Sequence, residues 1–192
     1  MAIVTYTTPG EEWLLTLALG IKQLQHGVEK SDRAGLRFDN GQVQGLSACI
    51  LAIEALKPAP SLFPNGNIGM PVALIHWFQS LTAQTSASSA NILANAELIM
   101  RQMQDGRPFL QGDLPGLADI VSAAWLIPQR EHLPADHSAL PWIERMEALA
   151  NSTHHSEGLS LDIEAFKELQ GDGLPKVQMT DTTVIVTSPL DQ

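Results

Sequence analysis

Asn40 and Gly41 stand between two short runs, 36–38 and 42–44, in which side chains alternate between apolar and polar. An Asn-Gly pair in this setting predicts a tight β-hairpin, because both central residues of a type I′ turn need a positive φ angle. Apolar residues then recur at helical spacing over 46–56. A hairpin that runs directly into an apolar helix strongly limits the folds open to the chain.

The residues before the hairpin predict one strand and one helix. Residues 2–6 are apolar and β-branched and end at a Thr-Pro-Gly turn, which predicts a strand. Residues 11–26 open with two glutamates and carry an apolar stripe, which predicts an amphipathic helix. Residues 27–34 are polar and predict a loop. Residues 1–57 are therefore predicted to form a β-α-β-β-α domain.

Beyond residue 57 the pattern is helical. Residues 58–70 are rich in proline and glycine and predict a linker. An all-helical domain is predicted over 71–170, with Trp77 and Phe78 as packing residues of its first helix. Its helices are predicted near 72–81, 92–103, 117–127, 140–149 and 161–169. Residues 171–192 are predicted to be a tail or tether, in which TTVIVTS is able to pair as a strand.

Composition excludes several classes of function. The formal net charge is −10, which disfavours direct contact with nucleic acid or an anionic membrane. The chain has a single cysteine, Cys49, and so no internal disulfide. The histidine pairs His132/His137 and His154/His155 lack a completing acid or cysteine, so no metal site is predicted. Without a signal peptide or a membrane-length apolar run, the expected location is the cytoplasm.

Two motifs resemble segments of the glutathione transferase family. The first is Gly45-Leu46-Ser47-Ala48 and the apolar run after it, where a strand turns into a helix whose N-terminus holds the γ-glutamyl carboxylate of glutathione. The second is the Phe-Leu-Gln-Gly run at 109–112 with Leu-Ala-Asp-Ile at 117–120. The resemblance spans 1–170. It implies an α-rich α/β fold, in which a shortened thioredoxin-like domain precedes an all-α domain.

The second motif predicts a structural role for Asp119. An acid in the first turn of a buried helix accepts hydrogen bonds from amides that water does not reach. In the family a serine or threonine three residues earlier completes a capping box, whereas this chain has Gly116. Asp119 is therefore interpreted as a helix cap with half of the box missing.

The residues that glutathione transferases use for chemistry are mostly replaced. The resemblance implies a Tyr, Ser or Cys near the end of the first strand, for which Tyr6, Thr7 and Thr8 are the candidates. Glu11, however, occupies the place of the catalytic serine found in many members and would repel a thiolate.

The rest of the glutathione site is altered too. Residues 31–36 contain no proline for the cis-proline clamp, and Leu46 replaces the acid or amide before Ser47. These losses predict a domain without catalytic residues or cofactor, in which Ser47 is vestigial.

The run Leu133-Pro134, Ser138 to Leu140 and Trp142 resembles the N-terminal domain of methionyl-tRNA synthetase. This resemblance implies a non-catalytic domain that docks a synthetase or auxiliary factor into the multisynthetase complex. Its partners would be the transferase-like domains of other translation factors. The predicted interface residues are Ala48, Ala52, Leu56, Ile75 and Phe78.

The stretch 58–100 fits such an interface, because it contains one acid and no lysine or arginine. Two alternatives stay open. The chain is either a divergent glutathione transferase or a subunit associated with elongation factor 1.

Overall fold

In a computed structural model of the protein, four strands from the first part of the chain and two from residues 176–187 form one mixed β-sheet. The residues that the structure describes are 2–39, 41–63, 69–82, 88–103, 105–151, 176–179 and 184–187. The strands are β1 (Ala2–Tyr6), β2 (His26–Lys30), β3 (Gly35–Phe38), β4 (Gly41–Gln44), β5 (Lys176–Met179) and β6 (Val184–Thr187). Their order in the sheet is β2-β1-β3-β4-β6-β5.

The hairpin prediction is confirmed, and one strand was missed. β3 and β4 pair antiparallel, with Phe38 opposite Gly41. The predicted loop over 27–34 is wrong in its first half, because His26–Lys30 forms β2 and pairs parallel to β1. β2 contains polar residues because its last three residues, from Val28 onward, are exposed. Four residues, 31–34, then lead directly into β3 with no helix between the two strands.

Two helices cover the sheet. α1 (Pro9–Ile21) begins at the turn after β1 and contacts β1, and α2 (Leu46–Leu56) follows β4 directly. α1 was predicted to continue to residue 26, but it ends near Lys22, and the next residue, Gln23, has a φ of 55°. The α2 bounds agree with the prediction.

The helical part consists of α3 (Gly69–Thr82), α4 (Ser89–Arg101), α5 (Leu117–Leu126) and α6 (Leu140–Ala150), with a 3-10 helix at Ile127–His132. α3 begins inside the predicted linker. Phe78 is fully buried, whereas Trp77 is 40% exposed, so Trp77 is not the packing residue that was predicted. The predicted helix over 161–169 lies outside the described residues. Within the tail, β6 pairs parallel to β4.

The proline-rich connection after α2 is held against the rest of the chain. Leu62 is fully buried and Phe63 is 8% exposed, so this part of the predicted linker belongs to the core. The ammonium of Lys22 donates to the carbonyl oxygens of Pro58 and Pro60, at 3.3 and 2.5 Å. The backbone N–H of Leu62 donates to the Glu54 carboxylate at 3.1 Å. Prolines prevent regular secondary structure in this connection, but the side chains of Lys22 and Glu54 fix the path of its backbone.

α1 lies between the sheet and the helical part. At Gly20, which has no side chain, the backbone of α1 comes close to the backbone at the end of α6. A Cβ built on Gly20 would collide with the carbonyl oxygen of Leu149 and lie 2.7 Å from the Cα of Ala150. α1 is thereby in direct contact with the end of α6. The sheet domain and the helices consequently share one hydrophobic cluster.

Replacing Gly20 by alanine should lower the free energy of unfolding by about 1–3 kcal/mol, because the added methyl group meets backbone atoms that have no room to move. Gly10→Ala in the same helix is the control. Its Cβ would lie 3.1 Å from the ring of Phe78 and 3.4 Å from the carbonyl oxygen of Ala124, which is less crowded than at Gly20, so the cost should be smaller. Urea denaturation of both variants measures the difference, and equal costs would contradict close packing at Gly20.

Within the described ranges, no helix combines the length and apolar character needed to cross a bilayer.

Candidate functional site

A cavity of about 370 Å³ opens at the edge of the sheet where three strands end. β1, β2 and β4 run in the same direction, so their carboxyl ends meet at this edge, where open α/β sheets usually bind ligands. We call it the strand-end cavity. It is lined by Thr7, Glu11, Asp32, Arg33, Ala34, Gln44, Gly45, Leu46 and Gln79.

The start of α1 forms one wall of the strand-end cavity and is fully capped. The hydroxyl of Thr8 accepts from the N–H of Glu11 at 3.3 Å. In return, Glu11 Oε2 accepts from the N–H groups of Thr7 and Thr8, at 2.8 and 3.0 Å. The Thr7 hydroxyl donates to the same oxygen at 2.5 Å. A carboxylate therefore occupies the positive end of α1, where an external anion would otherwise bind.

The start of α2 forms the facing wall and has no side-chain cap. Gly45 is the N-cap residue, with a φ of 90° that favours glycine, and it provides no side chain. Its N–H donates to the carbonyl oxygen of Ala34 at 3.0 Å. No acid lies in the first turn of α2, so no negative side chain of this helix offsets the positive end of its dipole beside the cavity.

The remaining polar walls come from three further segments. Asp32 and Arg33 lie on the short connection between β2 and β3, and both are exposed. The guanidinium of Arg33 is 3.5 Å from the side-chain oxygen of Gln44. Gln79 reaches the cavity from α3. Acidic and basic side chains therefore both line the strand-end cavity.

The three candidate residues for thiol chemistry lie in different places. Thr7 lines the strand-end cavity and donates to Glu11, whereas Thr8 caps α1. Tyr6 is not among the lining residues. Desolvation raises the pKa of its phenol, and the charge and hydrogen bond of Glu12 raise it further. A phenol held by a carboxylate is a poor group for stabilising a thiolate.

The residues that the sequence assigned to other sites are mostly buried. Ser47 is 1% exposed, and Leu46 rather than Ser47 lines the cavity. The predicted interface residues Ala48, Ala52, Ile75 and Phe78 are at most 1% exposed, so they are core residues and do not form a docking face. Leu56 is half-buried against the core.

Asp119 is fully buried and fixes the approach to α5. Its carboxylate accepts from the N–H groups of Leu110 and Gly116, at 2.7 and 3.1 Å, and from Trp142 Nε1 at 3.4 Å. Burial raises the pKa of Asp119, although these hydrogen bonds lower it. Glycine at 116 has no side chain to complete the box. A Cβ there would lie 2.7 Å from the Cδ of Gln111, whose amide occupies the space.

Sequence reasoning identified Thr7, Glu11 and Leu46 but missed Asp32, Arg33, Gln44 and Gln79. Only Arg33 carried a usable signal, since it is a cation in the turn that leads into the predicted hairpin. Among the described residues, no three His, Cys, Asp or Glu side chains are grouped to hold a metal ion. His154 and His155 lie outside the described residues.

Several solved structures share this fold. A glutathione S-transferase from Rhodospirillum rubrum is 17% identical, with a TM-score of 0.58 over 95% of both chains. A maleylacetoacetate isomerase from Anaeromyxobacter dehalogenans is 16% identical, with a TM-score of 0.58 over 80% of this chain and 94% of that one. A glutathione transferase homologue from Burkholderia is 19% identical, with a TM-score of 0.54 over 77% of this chain and 91% of that one. No protein-family model and no curated protein matches the chain.

These similarities confirm the predicted fold class, a glutathione-transferase-like fold with a thioredoxin-like sheet domain and a helical domain. They contradict the predicted function. The proteins that share the fold are glutathione transferases and an isomerase, so the interpretation as a non-catalytic docking domain of a translation complex is wrong. Nothing in these similarities links the chain to a synthetase.

Proposed function

We propose that this chain binds glutathione in the strand-end cavity and is a divergent glutathione transferase. The observation that carries the proposal is the position of the cavity, which touches the starts of both α1 and α2. By resemblance, transferases hold the thiol at the first of these helices and the γ-glutamyl carboxylate at the second. The Burkholderia structure contains glutathione, and the Anaeromyxobacter structure contains dicarboxyethyl glutathione and citrate in its active site.

The charges around the cavity complement those of glutathione. The tripeptide carries two carboxylates and one ammonium group. The positive end of the α2 dipole suits one carboxylate, and the guanidinium of Arg33 suits the other. Asp32 suits the ammonium. Leu46 replaces the residue that holds the γ-glutamyl group in the family, so the positive end of α2 carries more of the binding here.

The thiol end of the cavity differs from that of a typical transferase. In conjugation, the thiol loses its proton to solvent, the sulfur forms a bond to an electrophilic carbon, and the leaving group departs with its electron pair. The carboxylate of Glu11 lies where the thiolate would be stabilised and so disfavours ionisation. We therefore propose that the protein acts on strongly activated electrophiles. A cytoplasmic location is part of this proposal, because thiols are kept reduced there.

Binding and activity test the proposal directly. The purified full chain should be retained on immobilised glutathione, and calorimetry should show one site. It should also conjugate glutathione to an activated aryl chloride above the uncatalysed rate. No heat of binding at millimolar glutathione would overturn the proposal. Binding without any conjugation would limit the function to glutathione binding and overturn the transferase assignment.

Replacing Arg33 by alanine should weaken glutathione binding about five- to tenfold, because a charge-assisted hydrogen bond to a carboxylate is lost. Arg37→Ala is the matched control. Arg37 lies nearby on β3, in an exposed ion pair with Glu29, and is not a lining residue. Calorimetry on both variants measures the ratio, and equal affinities would show that Arg33 does not contact the ligand.

A further inference from the structure

The last described strand, β6, ends beside the strand-end cavity. β6 pairs parallel to β4, and the final residues of the two strands, Gln44 and Thr187, lie opposite each other. Neighbouring strands are about 4.8 Å apart, so the backbone of Thr187 lies about one strand spacing from Gln44, which lines the cavity. The main chain therefore leaves β6 at the edge of the sheet where the cavity opens.

The direction of β6 decides which residues start at this edge. β5 pairs antiparallel to β6, so residues 180–183, which connect the two strands, join β6 at its far end. The two ends of β6 are about 10 Å apart, at about 3.3 Å per residue. Residues 188–192 are consequently attached at the cavity edge, and residues 180–183 are attached away from it.

The length of residues 188–192 is sufficient to cross the cavity. Pro189 has no N–H to donate to a ladder, so strand pairing is not expected to continue beyond Ser188. Five residues span up to about 17 Å when they are extended. The cavity has a volume of about 370 Å³ and begins at the neighbouring strand, so it lies within this reach. Residues 188–192 themselves lie outside the described residues.

The charge of this segment complements the cavity. Residues 188–192 contain one acid, Asp191, and no base. The cavity offers the guanidinium of Arg33, whose contact with the side chain of Gln44 is to a neutral group and leaves its positive charge uncompensated. The positive end of the α2 dipole lies at the same cavity. A carboxylate carried on this segment thus matches the groups that suit the carboxylates of a ligand.

We propose that residues 188–192 occupy the strand-end cavity when no ligand is bound and act as a built-in competitor. Asp191 pairs with Arg33, and Leu190 packs on Leu46 in the lining. A short tether gives such a segment an effective concentration of about millimolar, so weak contacts are enough to hold it in place. The occupancy does not depend on the identity of the ligand. Its consequence, a lower apparent affinity for glutathione, rests on the proposed function.

Disulfide cross-linking of the full chain tests the occupancy without a ligand. Ala34 lines the cavity, and Cys49, the native cysteine, is buried. The double variant Ala34→Cys/Leu190→Cys should form an intramolecular disulfide under a mild oxidant. Ala34→Cys/Asp181→Cys is the matched control, because Asp181 is attached at the far end of β6. Circular dichroism checks that both reduced variants are folded. A yield no higher with Leu190→Cys than with Asp181→Cys would overturn the proposal.

Neutralising the acid tests the competition. Asp191→Asn should strengthen glutathione binding about two- to fivefold, because an exposed ion pair contributes up to about that factor. Asp181→Asn makes the same change in net charge at the far end of β6 and should leave the affinity unchanged. Calorimetry measures both variants. An unchanged affinity in Asp191→Asn, or an equal gain in the two variants, would overturn the competition.

The two measurements separate this proposal from the proposed function. Cross-linking in a chain that binds no glutathione would support the occupancy and overturn the transferase assignment. Glutathione binding in a chain that shows no selective cross-link would keep the proposed function and overturn the occupancy.

Discussion

Replacing Lys22 by methionine should lower the free energy of unfolding by about 3–5 kcal/mol, which is the usual cost of breaking a buried ion pair. Lys22 is fully buried, and its Nζ lies 2.5 Å from Glu54 Oε2 and 2.5 Å from the carbonyl oxygen of Pro60. Burial lowers the pKa of Lys22, and Glu54 offsets part of that effect. Without the ammonium, the Glu54 carboxylate remains in the interior with no counter-charge. Urea denaturation followed by circular dichroism measures the loss.

An exposed ion pair provides the control for this experiment. The side chains of Arg37 and Glu29 are 45% and 53% exposed. Arg37→Met should therefore cost less than about 1 kcal/mol. The double variant Lys22→Met/Glu54→Gln removes both buried charges. Its loss of unfolding free energy should therefore be smaller than the sum of the losses in Lys22→Met and in Glu54→Gln. Strict additivity, or a Lys22→Met cost no larger than that of Arg37→Met, would contradict a coupled buried pair.

The pair matters because it connects the two parts of the fold. Glu54 also accepts from the hydroxyl of Ser61 at 2.7 Å. At the next residue of the main chain, the carbonyl oxygen of Leu62 accepts from the N–H of Leu117, at the start of α5, at 3.1 Å. The sequence gives no sign of this, because Lys22 and Glu54 are far apart and prolines between α2 and α3 predict a linker.

The sequence predicts correctly those helices and strands that are specified by residues close together in the chain. The Asn-Gly turn specifies the hairpin, and the apolar run after Gly45 specifies α2 with its observed bounds. β2 was missed because its exposed end needs no apolar alternation. Its pairing with β1 is a long-range event that single-sequence periodicity does not report.

Four of the five predicted interface residues are buried, for a reason that the sequence itself contained. Apart from Ser47 and Glu54, the residues of α2 are apolar, and residues Leu46 to Glu54 of it are all buried. A helix of that kind is a core helix and has no free face to offer a partner. The low charge of residues 58–100 has the same origin in part, since Leu62, Ile75 and Phe78 from this stretch are core residues.

The candidate site was only partly predictable. Glu11 was identified because its position relative to Pro9 and Gly10 is a matter of sequence spacing. Gln79 was not, because it comes to the cavity through the packing of α3 against α2 and α5. The chemistry of the site therefore depends on residues near the starts of α1 and α2 that the sequence shows and on others that the fold assembles.

Replacing Glu11 by glutamine should raise conjugation activity below neutral pH about tenfold. A carboxylate within a few ångströms of an ionising group shifts its pKa by about 1–3 units, and we take about one unit because Glu11 is half-exposed. Removing the negative charge should therefore lower the pKa of the bound glutathione thiol by about one unit. The thiolate is the nucleophile, so its population sets the rate at a pH below that pKa.

Glutamine is chosen because it preserves the local structure. The side-chain oxygen of a glutamine at this position still accepts from the N–H groups of Thr7 and Thr8, as in a Ser/Thr-x-x-Gln capping box. The variant should keep the thermal stability of the wild type. Glu12→Gln is the matched control, because Glu12 is the neighbouring acid, its carboxylate interacts with Tyr6, and it does not line the cavity.

The pH profile of kcat/KM separates a charge effect from other consequences of the substitution. In Glu11→Gln the acidic limb should move to lower pH by about one unit, and the two profiles should converge at alkaline pH, where the thiol is ionised in both proteins. Ultraviolet difference absorbance of the bound thiolate should show the same shift. An unchanged profile would mean that the thiol does not lie beside Glu11. A loss of activity at every pH would mean that Glu11 assists the reaction as a proton acceptor, the opposite of the role assigned to it here.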